Sequence, residues 1–221
     1  MKITIFAATG GIGRCLLDQA IAAGHEVTAV VRDPSKLPST VHTVKADLST
    51  VEPATLETAV GGADAVLSGL GPRNARKAGI TSAGTKVIID AMKATGTRRI
   101  VVVSAAPVST MPSPDRPNPP RHDPAEGVIM RNLLTPMIKR VLHDHYADLA
   151  IMEDMLRASG LDWTSVRPPR LTDKPLTGQY RIAQEQNIRG GALIPRADVA
   201  HFMLASIADP ATIGHAIGIA T

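Results

Sequence analysis

The sequence predicts an α/β fold, a single doubly wound parallel sheet, and three observations carry that expectation. Short runs rich in β-branched residues alternate with longer runs whose apolar residues recur every three or four positions. The first strand-like run passes through a glycine turn straight into the first helix-like run, over Lys2–Gly13, KITIFAATGGIG. No internal repeat or linker divides the 221 residues, a length that fits one domain burying roughly 70–75% of its unfolded surface. Strands alternating with helices throughout call for a parallel sheet covered on both faces.

Lys2, Ile3, Thr4, Ile5 and Phe6 read as the first strand, too short for a signal peptide. Gly10, Gly11 and Gly13 follow at once, and Ile12, Leu16, Leu17 and Ala20 mark the apolar face of a helix. Glycine lets the backbone turn tightly and approach a pyrophosphate, and the helix N-terminus offers unpaired N–H groups to that anion. The spacing is A-A-T-G-G-I-G, so Ala7 stands where the usual G-x-x-G-x-x-G has its first glycine. Gly24 ends the helix, and Glu26–Val31 is a second strand. Next comes Arg32-Asp33-Pro34-Ser35-Lys36, at the place where a dinucleotide fold holds the adenosine ribose. A carboxylate there suits a free 2′-OH and an arginine suits a 2′-phosphate; two cations around Ser35 favour the phosphate. Val41–Lys45 reads as a third strand, with Asp47 beyond it as a candidate adenine contact. Glu52–Val60 is a short helix and Ala63–Ser68 a buried fourth strand. It runs into Gly69-Leu70-Gly71-Pro72-Arg73-Asn74, a second glycine-rich crossing at a strand's carboxyl end, where open parallel sheets hold ligands. Thr81–Thr95 is a helix with Val87, Ile88, Ala91 and Met92 on one face, closed by Gly96, and Arg99–Ser104 is a fifth strand suited to burial on both faces.

The period then breaks. Residues 107–124 contain seven prolines, which excludes a helix interior or a central strand. This Pro-rich loop is either a surface excursion or a lid over the substrate side, since it leaves the carboxyl end of a strand. Gly127–Leu142 reads as a helix limited or kinked by Pro136, and a second helix carries Leu149, Met152, Met155 and Leu156 up to Gly160. Leu161–Val166 is a sixth strand, leading into Arg167-Pro168-Pro169-Arg170. Tyr180–Ala183 and Gly191–Ile194 are expected to pair as a small antiparallel extension, and Ala197–Ile207 is the last helix, with Val199, Phe202, Met203 and Ile207 inward.

Composition narrows the function. No apolar run reaches the ~18 residues of a membrane helix. With Cys15 the single cysteine and no secretory signal, a disulfide framework is excluded and a reducing cytoplasm is expected, Cys15 itself being a packed thiol. The net charge of +4 comes without basic runs and with only five aromatic residues, so nucleic acid is not the expected partner; an anionic small molecule is. His143-Asp144-His145 lacks the further ligands that zinc requires and reads as solvated helix-start residues, so no metal is expected. His201 reads as a partly buried core histidine.

With these segments in hand, the chain resembles an atypical short-chain dehydrogenase/reductase, most closely the biliverdin-IXβ reductase/flavin reductase branch. TGGIG, EVTAVVRDPSKLP, GLGPRN, AMKATG, LRASGLDWTSVRPPRL, DKPLTGQY and ADVAHFML carry the likeness over almost the whole chain; the Pro-rich stretch and the helix after it match least. The resemblance implies a Rossmann-type NAD(P)-binding fold over residues 1–221 with NADPH bound at the strand ends. It puts Thr9, Gly10, Gly11, Ile12 and Gly13 around the pyrophosphate and Arg32, Ser35 and Lys36 around the 2′-phosphate. Asp47 and Leu48 would flank adenine, Gly69, Leu70, Gly71 and Arg73 would line the path to nicotinamide, and Ser104 and Pro168 would lie near its end. The catalytic side departs. The hydroxyl residue that relatives carry after Ser104 is here Ala105, and the Tyr-x-x-x-Lys pair of many dehydrogenases falls at His145 and Leu149. Tyr146 is one position off, and Glu153 stands where the flavin reductase branch has a histidine, so both read as ordinary helix residues and no catalytic side chain carries over. The expected activity is NADPH-dependent reduction of a planar small-molecule acceptor, a flavin before a biliverdin-like compound or a quinone. The alternative is a non-catalytic NADP(H)-sensing regulator like the nitrogen-metabolite-repression proteins. The sequence sets no oligomeric state.

Overall fold

β-Branched residues and Phe6 make Lys2–Phe6 a strand, β1, whose last four residues are buried. The computed structural model describes residues 1–71, 79–125 and 141–221. β1 lies between β2 (Glu26–Val31) and β4 (Ala65–Ser68), parallel to both, with Ile5 opposite Ala29 on one side and Leu67 on the other. Outward from β2 comes β3 (His42–Lys45). Outward from β4 come β5 (Arg99–Val103), β6 (Asp162–Arg167), β10 (His215–Ala220) and finally β8 (Arg181–Gln184). All neighbours are parallel except β8, which runs against β10 as an antiparallel edge.

Alternation within the strands feeds two cores. Ile3 and Ile5 of β1, with Val101 and Val103 of β5, face α1 (Gly11–Ala22) and the last helix, Arg196–Ala205. Phe6, Ile100 and Val102 face the opposite layer, built from α2 (Pro53–Val60), α3 (Ile80–Thr95) and α4 (His143–Ala158). The last helix is accordingly α5. Burial on both faces is what the uninterrupted apolar run of β5 requires.

Several expectations are corrected. Residues 180–183 and 191–194 do not pair with each other. β8 joins β10, while β9 (Leu193–Pro195) pairs in parallel with β7 (Arg170–Thr172) in a separate two-stranded sheet. Neither β7 nor β10 stands out in the sequence. The last helix stops at Ala205 and tightens into a single turn of 3-10 helix over Ser206–Ala208. His201 is exposed and pairs with the Tyr180 hydroxyl, 2.7 Å from its Nδ1, so it is no core residue. The Pro-rich loop is exposed over most of residues 112–122 and tied down at its two ends. Pro107 sits in the first turn of a 3-10 helix over Ala106–Thr110, where its missing N–H costs nothing, and Val108 and Met111 enter the α4-side core. Further along, Arg116 donates to the carbonyls of Val108 and Met111, and buried Asp123 accepts from the Asn187 backbone. The expected helix over 127–142 falls almost wholly outside the described residues.

Candidate functional site

Chain order turns outward from β1 toward β2 on one side and β4 on the other, and the gap between those crossings is where open sheets hold ligands. Here it opens a cleft of about 610 Å³, within the range of small-molecule sites. The ends of β1, β2, β3 and β4 supply its walls. A second, shallower groove of about 470 Å³ lies at the β8 edge, but its Arg181 is already donated to the carbonyls of Arg189 and Thr221. The switch-point cleft is the candidate site.

Its floor is the glycine turn. The Gly10 N–H closes the turn onto the Ala7 carbonyl at 2.8 Å, and Gly10 then caps α1 in an extended conformation with no side chain over the helix end. No acid stands in the first turn of α1, so its N-terminal dipole and N–H groups face the cleft uncompensated. α3 is different. Its first N–H groups, Thr81 and Ser82, are taken at 2.9 and 3.1 Å by the buried carboxylate of Asp148, so an anion in the cleft belongs at α1. The turn also leaves no room for side chains: a Cβ on Gly13 would stand 2.1 Å from the Ala7 carbonyl oxygen, and one on Gly69 would stand 3.1 Å from the Gly13 nitrogen. That cradle fits a group whose phosphates must approach the backbone closely.

Ala7, in the place of the motif's first glycine, has φ of 58°. A Cβ in that left-handed region costs roughly 1–2 kcal/mol. Ala7→Gly is therefore expected to stabilise the protein by about 0.5–1 kcal/mol, net of the entropy glycine adds to the unfolded chain. Urea denaturation checks this; a lowered midpoint would contradict it.

Of the residues singled out in the sequence, Thr9, Gly10, Arg32, Asp47, Leu48, Gly69, Leu70 and Gly71 line the cleft together. Gly11, Ile12 and Gly13 form the first turn of α1 behind it. Arg32 is exposed at the end of β2. Ser35 and Lys36 lie on the following turn and do not line the cleft; both face Asp33, which accepts the Ser35 hydroxyl at 2.6 Å and lies 3.6 Å from the Lys36 ammonium. These contacts, the Ser35 hydroxyl first, hold the Asp33 carboxyl below its usual range. Asp47 accepts both the N–H and the hydroxyl of Ser49. Ser104 and Pro168 also lie outside the cleft lining. They follow the carboxyl ends of neighbouring β5 and β6, where Ser104 is buried with its hydroxyl unpaired among the described residues. Arg73 lies outside the described residues.

Ile80, Ala83 and Gly84 of α3 also wall the cleft and went unread. Gly84 carried the available signal, a glycine inside a helix. A Cβ there would press on Leu48 and Leu70, both at 3.1 Å, so its absence lets α3 close on these two apolar cleft residues.

On α4, Leu149 is 2% exposed in the core, and burial raises the hydroxyl pKa of Tyr146. His143 and Asp144 are exposed, and burial lowers the pKa of His145. Among the described residues no three His, Cys, Asp or Glu side chains converge on a metal position. Cys15 is half-buried, and burial pushes its thiol up. Glu153 is no ordinary helix residue: it is fully buried against Arg167 and Ser165. No helix among the described residues is long and apolar enough to cross a membrane.

A family model described as NAD(P)H-binding matches residues 7–210. A short-chain dehydrogenase/reductase from Veillonella parvula, solved in complex with NADP, is similar with a TM-score of 0.78 at 20% identity, covering 100% of this chain and 94% of its own. A Streptococcus pneumoniae protein proposed to be an NADH-flavin reductase is similar at 26% identity with a TM-score of 0.73, covering 100% and 99%. A 3-diazoavenalumate denitrifying reductase from Streptomyces is 35% identical over 48% of this chain, which spans 38% of that relative's length.

Proposed function

The chain belongs to the NAD(P)H-binding family, and on that premise we propose that it is an NADPH-dependent reductase delivering hydride to a planar conjugated acceptor, a flavin first among them. The observation that carries the reading is the cleft itself: an uncapped α1 N-terminus and glycine cradle at one end of β1, and Arg32 at the end of β2 beside it. The α1 N–H groups would hold the pyrophosphate, and Arg32 a 2′-phosphate. Leu48 would give the adenine an apolar wall, and Leu70 would continue it toward the nicotinamide. Bound NADPH would supply the hydride. The chain's own contribution is position: it holds the dinucleotide along the strand ends and presents one face to the acceptor.

What stands on α4 supports this acceptor class. A carbonyl acceptor builds negative charge on oxygen, and a positioned acid contributes about 10²–10⁴-fold. The dehydrogenase lysine position is Leu149, packed in the core, and Glu153 is sealed under Arg167. A flavin spreads the charge over its rings and takes its proton from water. The S. pneumoniae protein proposed to be an NADH-flavin reductase supports a flavin as acceptor, and the reductase among the relatives supports reduction as the reaction.

The test is NADPH and NADH oxidation against riboflavin, FMN, biliverdin and simple quinones, beside a control without acceptor. NADPH is expected to be preferred roughly tenfold, as one exposed charge-assisted contact allows, with the preference lost in Arg32→Ala. Tyr146→Phe is expected to change turnover less than about tenfold, below the acid–base range. Equal use of the two cofactors, or collapse of turnover in Tyr146→Phe, would count against the proposal. Tight NADPH binding without turnover on any acceptor would point to the sensing regulator instead.

A further inference from the structure

Gly11, the first residue of α1, has no side chain, and the space beside it is filled from the other end of the chain. Arg196 opens α5, which packs along α1; its Nε and Cδ lie 2.7 and 2.8 Å from where a Gly11 Cβ would stand. The Gln19 amide, donating to the Ala197 carbonyl at 2.9 Å, pins the two helices together, so this placement is set by packing rather than by a free surface arm. The guanidinium is half-buried, and its partner is Asp173, which is 90% exposed. That is the one hydrogen bond of the Arg196 side chain among the described residues. A surface ion pair of this kind is worth little and exchanges readily for a stronger anion. An arginine fork, in contrast, matches a phosphate with two parallel donors.

We propose that Arg196 is a cofactor-binding residue that clamps the pyrophosphate at the α1 N-terminus, releasing Asp173 as the dinucleotide enters. The inference rests on the dinucleotide reading of the cleft, and it divides the cationic work between Arg32 in the cleft lining and Arg196, which packs on Gly11 at the α1 N-terminus behind that lining. Arg32 at the end of β2 addresses the group that distinguishes NADPH from NADH, whereas Arg196 addresses the pyrophosphate both share. Its loss therefore weakens every pyrophosphate-bearing ligand alike and leaves the NADPH preference untouched.

Calorimetric titration of the wild-type protein, Arg196→Gln and Gly11→Ala with NADPH, NADH and ADP-ribose tests this. Arg196→Gln is expected to raise all three Kd values by about tenfold, the loss of one charge-assisted contact. Gly11→Ala keeps the arginine but places a methyl where its Nε and Cδ now lie, and is expected to weaken all three by a smaller common factor while folding normally. It also stands in for Arg196→Gln should that variant fail to fold. Wild-type affinities in both variants would overturn the proposal while leaving the cleft's assignment intact. So would a loss confined to NADPH, which would move Arg196 to the 2′-phosphate. No binding of any of the three ligands by the wild-type protein would overturn the dinucleotide reading and this inference with it.

Discussion

Glu153→Ala is expected to remove about 3–5 kcal/mol of stability, a large share of the 5–15 kcal/mol that holds a domain together. Glu153 sits in the middle of α4 with no exposed surface, and Arg167 at the end of β6 is 2% exposed. One carboxylate oxygen accepts from Arg167 Nε at 2.8 Å and the Ser165 hydroxyl at 2.9 Å; the other accepts from Arg167 Nη2 and, at 3.1 Å, from Arg157. Burial alone would raise the Glu153 pKa, but the bonds and charge of Arg167 outweigh it and hold the group at about 2, against an ordinary 4.5. Truncation strands the Arg167 guanidinium in the core without its counter-charge, which is the expensive way to lose a buried pair. Replacing both together, as Glu153→Leu with Arg167→Met, is expected to recover most of the loss because the charge that remains, Arg157, is partly exposed and keeps Asp154 as its partner. The pair also sets an acid limit. A carboxyl whose folded pKa is depressed contributes its full stability above about 4.5 and loses it as the pH falls toward 2. Glu153→Gln should flatten the stability curve across that window. Denaturant midpoints between pH 7 and pH 3 measure both effects, and a wild-type midpoint in Glu153→Ala would show that the pair does not hold α4 on the sheet. An acid ionised this firmly at neutral pH has no proton to donate, which is a second reason to look for an acceptor that does not require one.

The parts of this fold that could be read from sequence are those whose cause is local. β1 and β2 were legible to the residue because short β-branched runs are bounded by glycines that end helices or begin turns. The glycine-lined part of the cleft is legible for the same reason, since glycines at strand ends mark close backbone approach, whereas its α3 wall of Ile80, Ala83 and Gly84 is not. What escaped has a cause distant in the chain. β10 is a buried strand whose pattern is broken by Gly218, and a Cβ there would stand 2.1 Å from the Gln186 carbonyl oxygen. That requirement comes from the loop before β9, not from the strand. β8 is largely exposed, so no alternation fixed its register, and it was paired with the wrong neighbour. Arg99 reads as the charged start of a strand yet is 7% exposed. It is satisfied by the carbonyls of Ser206, Ile207 and Asp162, two of them more than a hundred residues away. Glu153 is the same case: a helix glutamate is ordinary until the arginine packed on it is known.

Gly13→Ala is expected to abolish dinucleotide binding, raising Kd beyond about a hundredfold, and to cost about 3 kcal/mol or more of stability. The added methyl would stand 2.1 Å from the Ala7 carbonyl oxygen, 2.8 Å from the Ala7 carbonyl carbon and 3.1 Å from the Ala8 Cα. All three are backbone atoms, so no rotamer change relieves the clash. Ala7 has no slack to offer either, being already in the left-handed region, and its carbonyl is held by the Gly10 N–H. The remaining escape is for α1 to move off β1, against the Gly69 backbone that packs on Gly13 from the end of β4. Such a shift carries the α1 N–H groups away from the strand ends, so affinity and stability should fall together. Gly10→Ala supplies the graded comparison. Its Cβ would meet the same Ala7 oxygen at 3.2 Å, a distance a few tenths of an ångström can relieve, and its losses should be intermediate. Thermal melts and NADPH titration of the two variants read the order directly. Wild-type melting and affinity in Gly13→Ala would mean that the glycine cradle does not position α1, and the assignment of its N-terminus as the anion site would fall.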